Sequence, residues 1–333
     1  MRSFLSYNFK EIFKNLLYKK LTCFTLFKAL KIYLTPTLLD KLQVRPQKLH
    51  NNSEYPIFNP SIIKLKNKVY FISRCNRLKS KENFYEYNGI NFIHECNANL
   101  KASKITLLDD TLLKKNLMDG FNGLEDIRLF IWHKSIWGIG ASVYYKDTYD
   151  ANFCREFTCN QLLIKIEDNK IIEFYDFKSP FNQNKEKNWI PVVKDKQLFF
   201  LYSISPLVVL KFHNKKLAII KSDSMHNLNQ IHIRGGTTVV KLANGRILGV
   251  GHKAPLLSFG SIFYRHLFYI LDDKFNLKML SKEFFIEKKG LEFPLGLLLN
   301  GGSIIMSYGS FKQDMSMFCK FPLLKLNFLK INI

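Results

Sequence analysis

No apolar run in the sequence reaches the ~18 uncharged residues that a membrane-spanning helix needs, so no such helix is expected. There is no Cys-x-x-Cys pair. The six cysteines (Cys23, Cys75, Cys96, Cys154, Cys159, Cys319) are scattered, which fits reduced thiols in a cytosolic protein rather than a disulfide framework. No Cys/His spacing suits zinc, and no histidine pairs with an acid at i,i+4, so no metal site is expected. Gly235-Gly236 is too short for a phosphate-binding Walker loop or a dinucleotide fingerprint, and no cofactor is expected. Ser224 lacks the histidine and aspartate pattern of a hydrolase triad. Acids are scarce, at 27 Asp and Glu against 50 Lys and Arg, for a net charge of +23. The basic residues are dispersed and match no nucleic-acid module, so nucleic acid is not an expected partner. The excess is read either as solvated lysine or as affinity for anionic lipid or glycan.

Hydrophobic residues make up 47% of the 333 and aromatics 14%, with 30 Phe and 15 Tyr, enough for a large core that favours strands. The first 42 residues differ from the rest. Phe9, Ile12, Phe13, Leu16 and Leu17 recur at helical spacing, Leu21 and Phe24 extend the stripe, lysines fill much of the remainder, and Thr35-Pro36 ends it. Lysines interrupt the apolar stretch and no small-residue cleavage site follows, unlike a secretory signal. Residues 1–45 are therefore expected to form a basic amphipathic helical extension. It docks on the body, or lies through residues 1–35 on an anionic membrane surface. The matching location is cytoplasmic, peripheral at the inner membrane face.

From residue 55 to 330 the pattern is short strands. Ile62–Leu65 and Val69–Ser73 flank a polar turn, as do Leu129–Trp132 and Ile136–Gly140, Ile190–Val193 and Leu198–Ser203, Thr237–Leu242 and Ile247–Val250, and Leu295–Leu299 and Ile304–Tyr308. A polar or charged cluster precedes each pair. Unit starts roughly 45–65 residues apart suit propeller blades, each too small to bury both faces alone. The expected fold class is all-β, a five-bladed β-propeller with a basic amphipathic helical segment before it; an irregular β-sandwich is the alternative. In a propeller the polar clusters converge on the axis. Among them Glu125, Asp126 and Arg128 pack two acids and a cation just before an apolar strand. That suits proton transfer to an oxygen leaving group, or holding a polyhydroxylated or anionic ligand. A strand-start ion pair to Arg128 is the structural alternative.

The clusters together resemble glycoside hydrolase family 130. Phe58-Asn59-Pro60-Ser61 with Arg74 is similar to that family's first blade. Glu125-Asp126-Ile127-Arg128 resembles its Glu-Asp-Pro-Arg, and Lys187-Asn188 its Lys-Asn. Arg234-Gly235-Gly236-Thr237 with His252 resembles its glycine-rich turn and Tyr-His-Gly. Phe293-Pro294-Leu295-Gly296, Tyr308-Gly309 and Asp314 resemble its last blade. The resemblance runs in order over about residues 55–320. It implies a five-bladed propeller, mannoside phosphorylase or mannosidase chemistry, or mannosyl transfer as in a related glycosyltransferase family. It also implies an axial sugar site. Asp126 matches the proton donor, Arg128 and Lys187 match positions near phosphate or sugar, and His252 matches a histidine beside phosphate. Ile127 replaces the usual proline, Ser203 to Pro206 read Ser-Ile-Ser-Pro where phosphorylases often carry His-Arg-Pro, and Gly251-His252-Lys253 replaces Tyr-His-Gly.

The expected activity is transfer of a mannosyl-like unit between a glycoside and phosphate or a sugar acceptor. Asp126 is the expected acid. Glu292 is the candidate second carboxylate, with Asp314 another, since inverting hydrolysis needs a base for water. Failing that, phosphate or a sugar phosphate brings its own charge, cradled by Arg74, Arg128, Lys187, Arg234, His252 and Arg265. An inverting hydrolase and a non-catalytic glycan-binding propeller stay open. His266 alternates to the other face of its strand; His94, His133 and His213 are assigned to turns or strand edges.

Overall fold

The computed structural model describes residues 32, 34–49, 56–81, 84–97, 99–117, 119–149, 155–223, 233–253, 256–258, 261–288, 290–310 and 316–323. The apolar stripe and the lysines of residues 1–31 lie outside them, as does Asp314. Helix α1 (Leu38–Leu42), capped by the Thr37 side chain, leads to the short strand β1 (Gln47–Lys48). Four antiparallel strands follow as the first blade: β2 (Ile57–Leu65), β3 (Lys68–Lys81), β4 (Phe84–Cys96) and β5 (Ala102–Leu107). After helix α2 (Thr111–Asn116), the second blade is β6 (Phe121–Trp132), β7 (Ser135–Tyr149), β8 (Arg155–Glu167) and β9 (Lys170–Phe177). The third is β10 (Ile190–Lys194), β11 (Gln197–Ile204), β12 (Leu207–His213) and β13 (Lys216–Ser222).

In the fourth blade β14 (Ile233–Gly235) and β15 (Val240–Lys241) share the partner β16 (Ile247–Lys253). A hairpin of β17 (Leu256–Ser258) and β18 (Ser261–Phe263) leads on to β19 (His266–Leu271) and β20 (Leu277–Leu280). The fifth is β21 (Phe293–Asn300), β22 (Ser303–Gly309) and β23 (Ser316–Pro322). Its outermost strand is β1, with Gln47 opposite Phe318 and Lys48 opposite Met317. The ring is thus fastened by residues from the chain's first fifty, and α1 buries Leu38, Leu39 and Leu42 between blades four and five. Residues 38–48 pack on the propeller body, a stretch the sequence assigns partly to an extension.

The physical reason for the ring is in the core. Each of the five junctions between neighbouring blades holds its own hydrophobic cluster. Ile63 and Ile93 meet Leu129 and Ile164 at the first, Trp137 and Leu163 meet Phe200 and Leu210 at the second, and Ile190 and Val209 meet Ile247 and Tyr269 at the third. Val250 and Phe268 meet Ile304 and Met306, and Ile305 and Phe318 meet Ile62 and Phe71. Every small sheet seals its neighbour, as the strand repeat predicts, whereas a sandwich would share one core. Blades one and two also touch at Gly89 and Gly123, where a Cβ on Gly123 (φ 96°) would lie 2.0 Å from the Gly89 carbonyl oxygen. No helix among the described residues is long and apolar enough to cross a membrane.

Candidate active site

The starts of three inner strands are irregular, and the irregularity aims the polar residues. Pairing slips between Phe58 and Ser61 on β2, between Glu125 and Arg128 on β6, and between Pro294 and Gly296 on β21. Asn59 (φ 48°), Asp126 (φ 54°) and Asn188 (φ 69°) adopt left-handed backbone there. Asn and Asp are the L-residues that tolerate that region best, and bulges beside active sites commonly redirect a side chain. On a regular strand Glu125 and Asp126 point to opposite faces. The bulge brings both to one cation. Arg74 Nη2 donates to Glu125 Oε1, while Arg74 Nη1 lies 3.8 Å from Asp126 Oδ1.

Four more contacts complete the group. Asn59 Nδ2 donates to Asp126 Oδ1 at 2.8 Å. Lys187 Nζ donates to Glu125 Oε2 at 2.9 Å. The Arg74 guanidinium stands 5.2 Å from the Phe58 ring centre, and the Lys187 ammonium 4.9 Å from that of Phe157. Burial pulls the Lys187 ammonium down, but the charge and hydrogen bond of Glu125 outweigh it and hold the group above the ordinary lysine value. Glu125 is therefore engaged by two cations. The Asp126 side chain keeps 18% of its surface open, enough to meet a ligand. The ion-pair alternative of the sequence is thus realised at Glu125, with Arg74 and Lys187 in place of Arg128.

Arg128 is not part of an open anion cradle. It is 1% exposed. Its Nε donates to the Gly236 carbonyl at 2.8 Å, its Nη1 to the Asp126 carbonyl at 3.2 Å and its Nη2 to Asn188 Oδ1 at 3.1 Å. The Phe293 ring centre is 6.0 Å away. Blades two, three, four and five thus meet on one guanidinium, which spends its donors on protein oxygens. Burial lowers its pKa to about 10, so it stays charged at neutral pH.

His252 lies 5.0 Å from Phe293 and 5.6 Å from Tyr264, ring to ring, with Nδ1 unpartnered. Burial first, then His266, Arg128 and Arg234, holds it neutral far below the usual histidine range. Arg234, opposite His252 in the β14–β16 pairing, is exposed. Arg265 is brought elsewhere: its Nη1 donates to Glu283, which also binds Lys253 at 2.7 Å.

Glu292 is likewise engaged away from Asp126. It is 1% exposed, and its carboxylate accepts from the backbone N–H groups of Ile286, Glu287 and Lys288 at 2.8–3.2 Å. Burial lifts its pKa to about 8 against those bonds. It braces the backbone of residues 286–288. His94 lies near the end of β4, two residues before Cys96, and is fully buried with both ring nitrogens unpartnered. His266 is buried, with Nε2 3.1 Å from the Glu292 carbonyl oxygen.

Three residues near this group carry no local sequence signal. Burial above all, with the charges of Glu125 and Asp126 adding to it, raises the phenols of Tyr145 and Tyr264 respectively. Glu186 is buried next to Lys187. It accepts from Ser179, from Trp189 Nε1 at 3.1 Å and from Tyr202 at 3.2 Å, and burial raises its pKa. Its own carbonyl receives Gln161 Nε2 at 3.2 Å, so the 185–188 segment that carries Lys187 and Asn188 is pinned to β8. No group of three or more His, Cys, Asp or Glu suited to a metal occurs among the described residues.

No protein-family profile and no curated protein matches the chain. Solved structures do. A β-1,2-mannobiose phosphorylase from Listeria innocua, in complex with β-1,2-mannobiose, aligns over 89% of this chain and 98% of its own at 13% identity and a TM-score of 0.55. A glycosyl hydrolase from Bacteroides ovatus aligns over 87% and 93% at 9% identity and a TM-score of 0.54. A mannose phosphorylase from Leishmania mexicana, in complex with phosphate ion, aligns over 86% and 90% at 11% identity and a TM-score of 0.50. Over nearly its whole length, then, the chain has the propeller fold of the mannoside phosphorylases and related glycoside hydrolases.

Proposed function

We propose that the protein is a carbohydrate-active enzyme that moves a glycosyl unit, mannosyl-like, between a glycoside and phosphate. The observation that carries this is the Asp126 carboxyl, partly open on its bulge at the axial end of the inner strands, braced by Asn59 and Arg74. In the phosphorolytic direction Asp126 gives its proton to the glycosidic oxygen as the bond to the anomeric carbon breaks. A phosphate oxygen forms the new bond to that carbon, and the products are a sugar phosphate and the freed alcohol.

Phosphate is favoured over water by what the carboxylates are doing. Inverting hydrolysis needs a second carboxylate to activate water. Among the described residues Glu125 is held by two cations, and Glu292 by three backbone N–H groups. A phosphate brings its own charge and needs cations instead. Lys187 and the exposed Arg234 supply them, with neutral His252 beside them. The phosphate bound to the Leishmania relative, and the mannobiose bound to the Listeria one, support both halves of the substrate assignment.

The test is incubation with mannose 1-phosphate and a panel of sugar acceptors, following released phosphate. Turnover is expected, and Asp126→Asn, which keeps the side-chain shape, should lower it about 10²–10⁴-fold while ligand still binds. Glycoside cleavage without phosphate would instead identify a hydrolase. Activity untouched by Asp126→Asn removes the assignment.

A further inference from the structure

The Asn59 amide is held in a place that local packing alone would not choose. Asn59 is 3% exposed, at the pairing slip of β2, and its backbone is left-handed (φ 48°). Pro60 follows, and a proline favours extended backbone in the residue before it. Asn59 Oδ1 is buried without a hydrogen-bond partner. Room for the amide comes from Gly309 at the end of β22, where a Cβ would stand 2.0 Å from Asn59 Oδ1. The bulge is clamped from both neighbouring blades. Ser307 Oγ donates to the Pro60 carbonyl oxygen, and the Leu129 N–H donates to Ser61 Oγ at 2.9 Å. Backbone strain and an unmet buried acceptor, held this firmly, are features that collect at functional sites.

What they secure is a donor aimed at one oxygen of Asp126. Asn59 Nδ2 donates to Asp126 Oδ1 at 2.8 Å, and Arg74 Nη1 lies 3.8 Å from the same atom. Among the described residues no donor meets Asp126 Oδ2. An oxygen that already accepts from an amide N–H and faces a guanidinium is the poorer seat for a proton.

We propose that Asn59 is a positioning residue for the acid: by occupying Asp126 Oδ1 it seats the transferable proton on Oδ2 and turns that oxygen toward the glycosidic bond. This rests on the glycosyl-transfer reading, with Asp126 as the acid. In the step, the O–H bond at Oδ2 breaks as the leaving oxygen takes the proton. The leaving oxygen keeps the electron pair of its broken bond to the anomeric carbon, and a phosphate oxygen supplies the pair for the new one. The carboxylate left behind stays held at Oδ1.

The test compares leaving groups. An alcohol needs the proton in order to depart, and dinitrophenolate does not. Phosphorolysis of β-1,2-mannobiose and of 2,4-dinitrophenyl β-mannoside is measured with inorganic phosphate for the wild type, Asp126→Asn, Asn59→Asp and Gly309→Ala. Asn59→Asp keeps the shape and the tolerance of left-handed backbone but turns the donor into an acceptor. Gly309→Ala displaces the amide from the other side. Both should lower kcat on mannobiose by about tenfold or more with KM within about twofold, and keep turnover of the aryl mannoside within about twofold of wild type. Asp126→Asn should show the same contrast more strongly. Thermal melting identifies a variant that fails to fold, and the other then decides. A contrast in Asp126→Asn, with equal losses on both substrates in the Asn59 and Gly309 variants, overturns the role of Asn59 and leaves the acid assignment standing. No contrast in Asp126→Asn overturns the acid assignment and this inference together.

Discussion

Arg128 shows how much of this site rests on one side chain. Its planar fork reaches Gly236, Asp126 and Asn188 at once, and a lysine ammonium is a single point on a flexible stem. Arg128→Lys should therefore cost about 2–4 kcal/mol, because buried acceptors lose charged donors. It should also lower turnover by loosening Asp126. Chemical unfolding and activity measured on one preparation check both; wild-type stability in the variant would remove the axial tie. The sequence shows the charge of Arg128 and the motif around it, but not that the guanidinium is sealed from water. That follows from partners 60 and 108 residues away. Tyr264 and Glu186 are invisible for the same reason: their surroundings are set by partners distant in the chain or by burial, not by a local pattern.

At the level of elements, the five inner hairpins are legible because a polar turn between two apolar alternating runs is a local signal. The bulges at Glu125 and at Phe58 are not, since a pairing slip depends on the partner strand. A strict alternation would have hidden one of the two acids from Arg74. The closing strand β1 is equally hard to read: it is two residues long, and its partner lies some 270 residues away in sequence. Its contribution can be measured. Removing residues 1–48 deletes both α1 and β1, exposes the edge of β23 and uncovers the Leu38, Leu39 and Leu42 contacts. The melting temperature should fall, and backbone amides in 316–319 should exchange faster with solvent deuterium. Unchanged protection there would mean the ring closes without that strand.

For the whole molecule, buried titratable groups set a stability optimum. His94, His252 and His266 are neutral in the fold, with pKa values of about 4 for His94, about 3 for His266 and well below the ordinary 6.5 for His252. Burial is the main cause for each. The unfolded chain takes up protons on them below about 6.5 while the fold does not, so stability drops as pH falls from there. Glu292 acts in the opposite sense. The fold keeps its proton up to about pH 8 and the unfolded chain sheds it from about 4.5, so stability declines as pH rises through that window. Glu186 adds to this decline. Asp176, also raised by burial, acts in the same sense, so below about 6.5 three histidines oppose these three carboxyl groups, and above it the carboxyl groups prevail. Melting temperature plotted against pH should peak near about 6.5, and Glu292→Gln should flatten the limb between there and pH 8. A curve still rising at pH 8 would contradict this account.

The sealed guanidinium at the axis has a consequence for ionic strength. Salt weakens the attraction between exposed charges across a Debye length of about 8 Å at physiological concentration, but reaches buried ones far less. The field of Arg234 on an approaching anion therefore fades in concentrated electrolyte, while that of Arg128 persists. Capture of a negatively charged substrate should slow as salt is added and then level off, the plateau being the share owed to the sealed Arg128 charge.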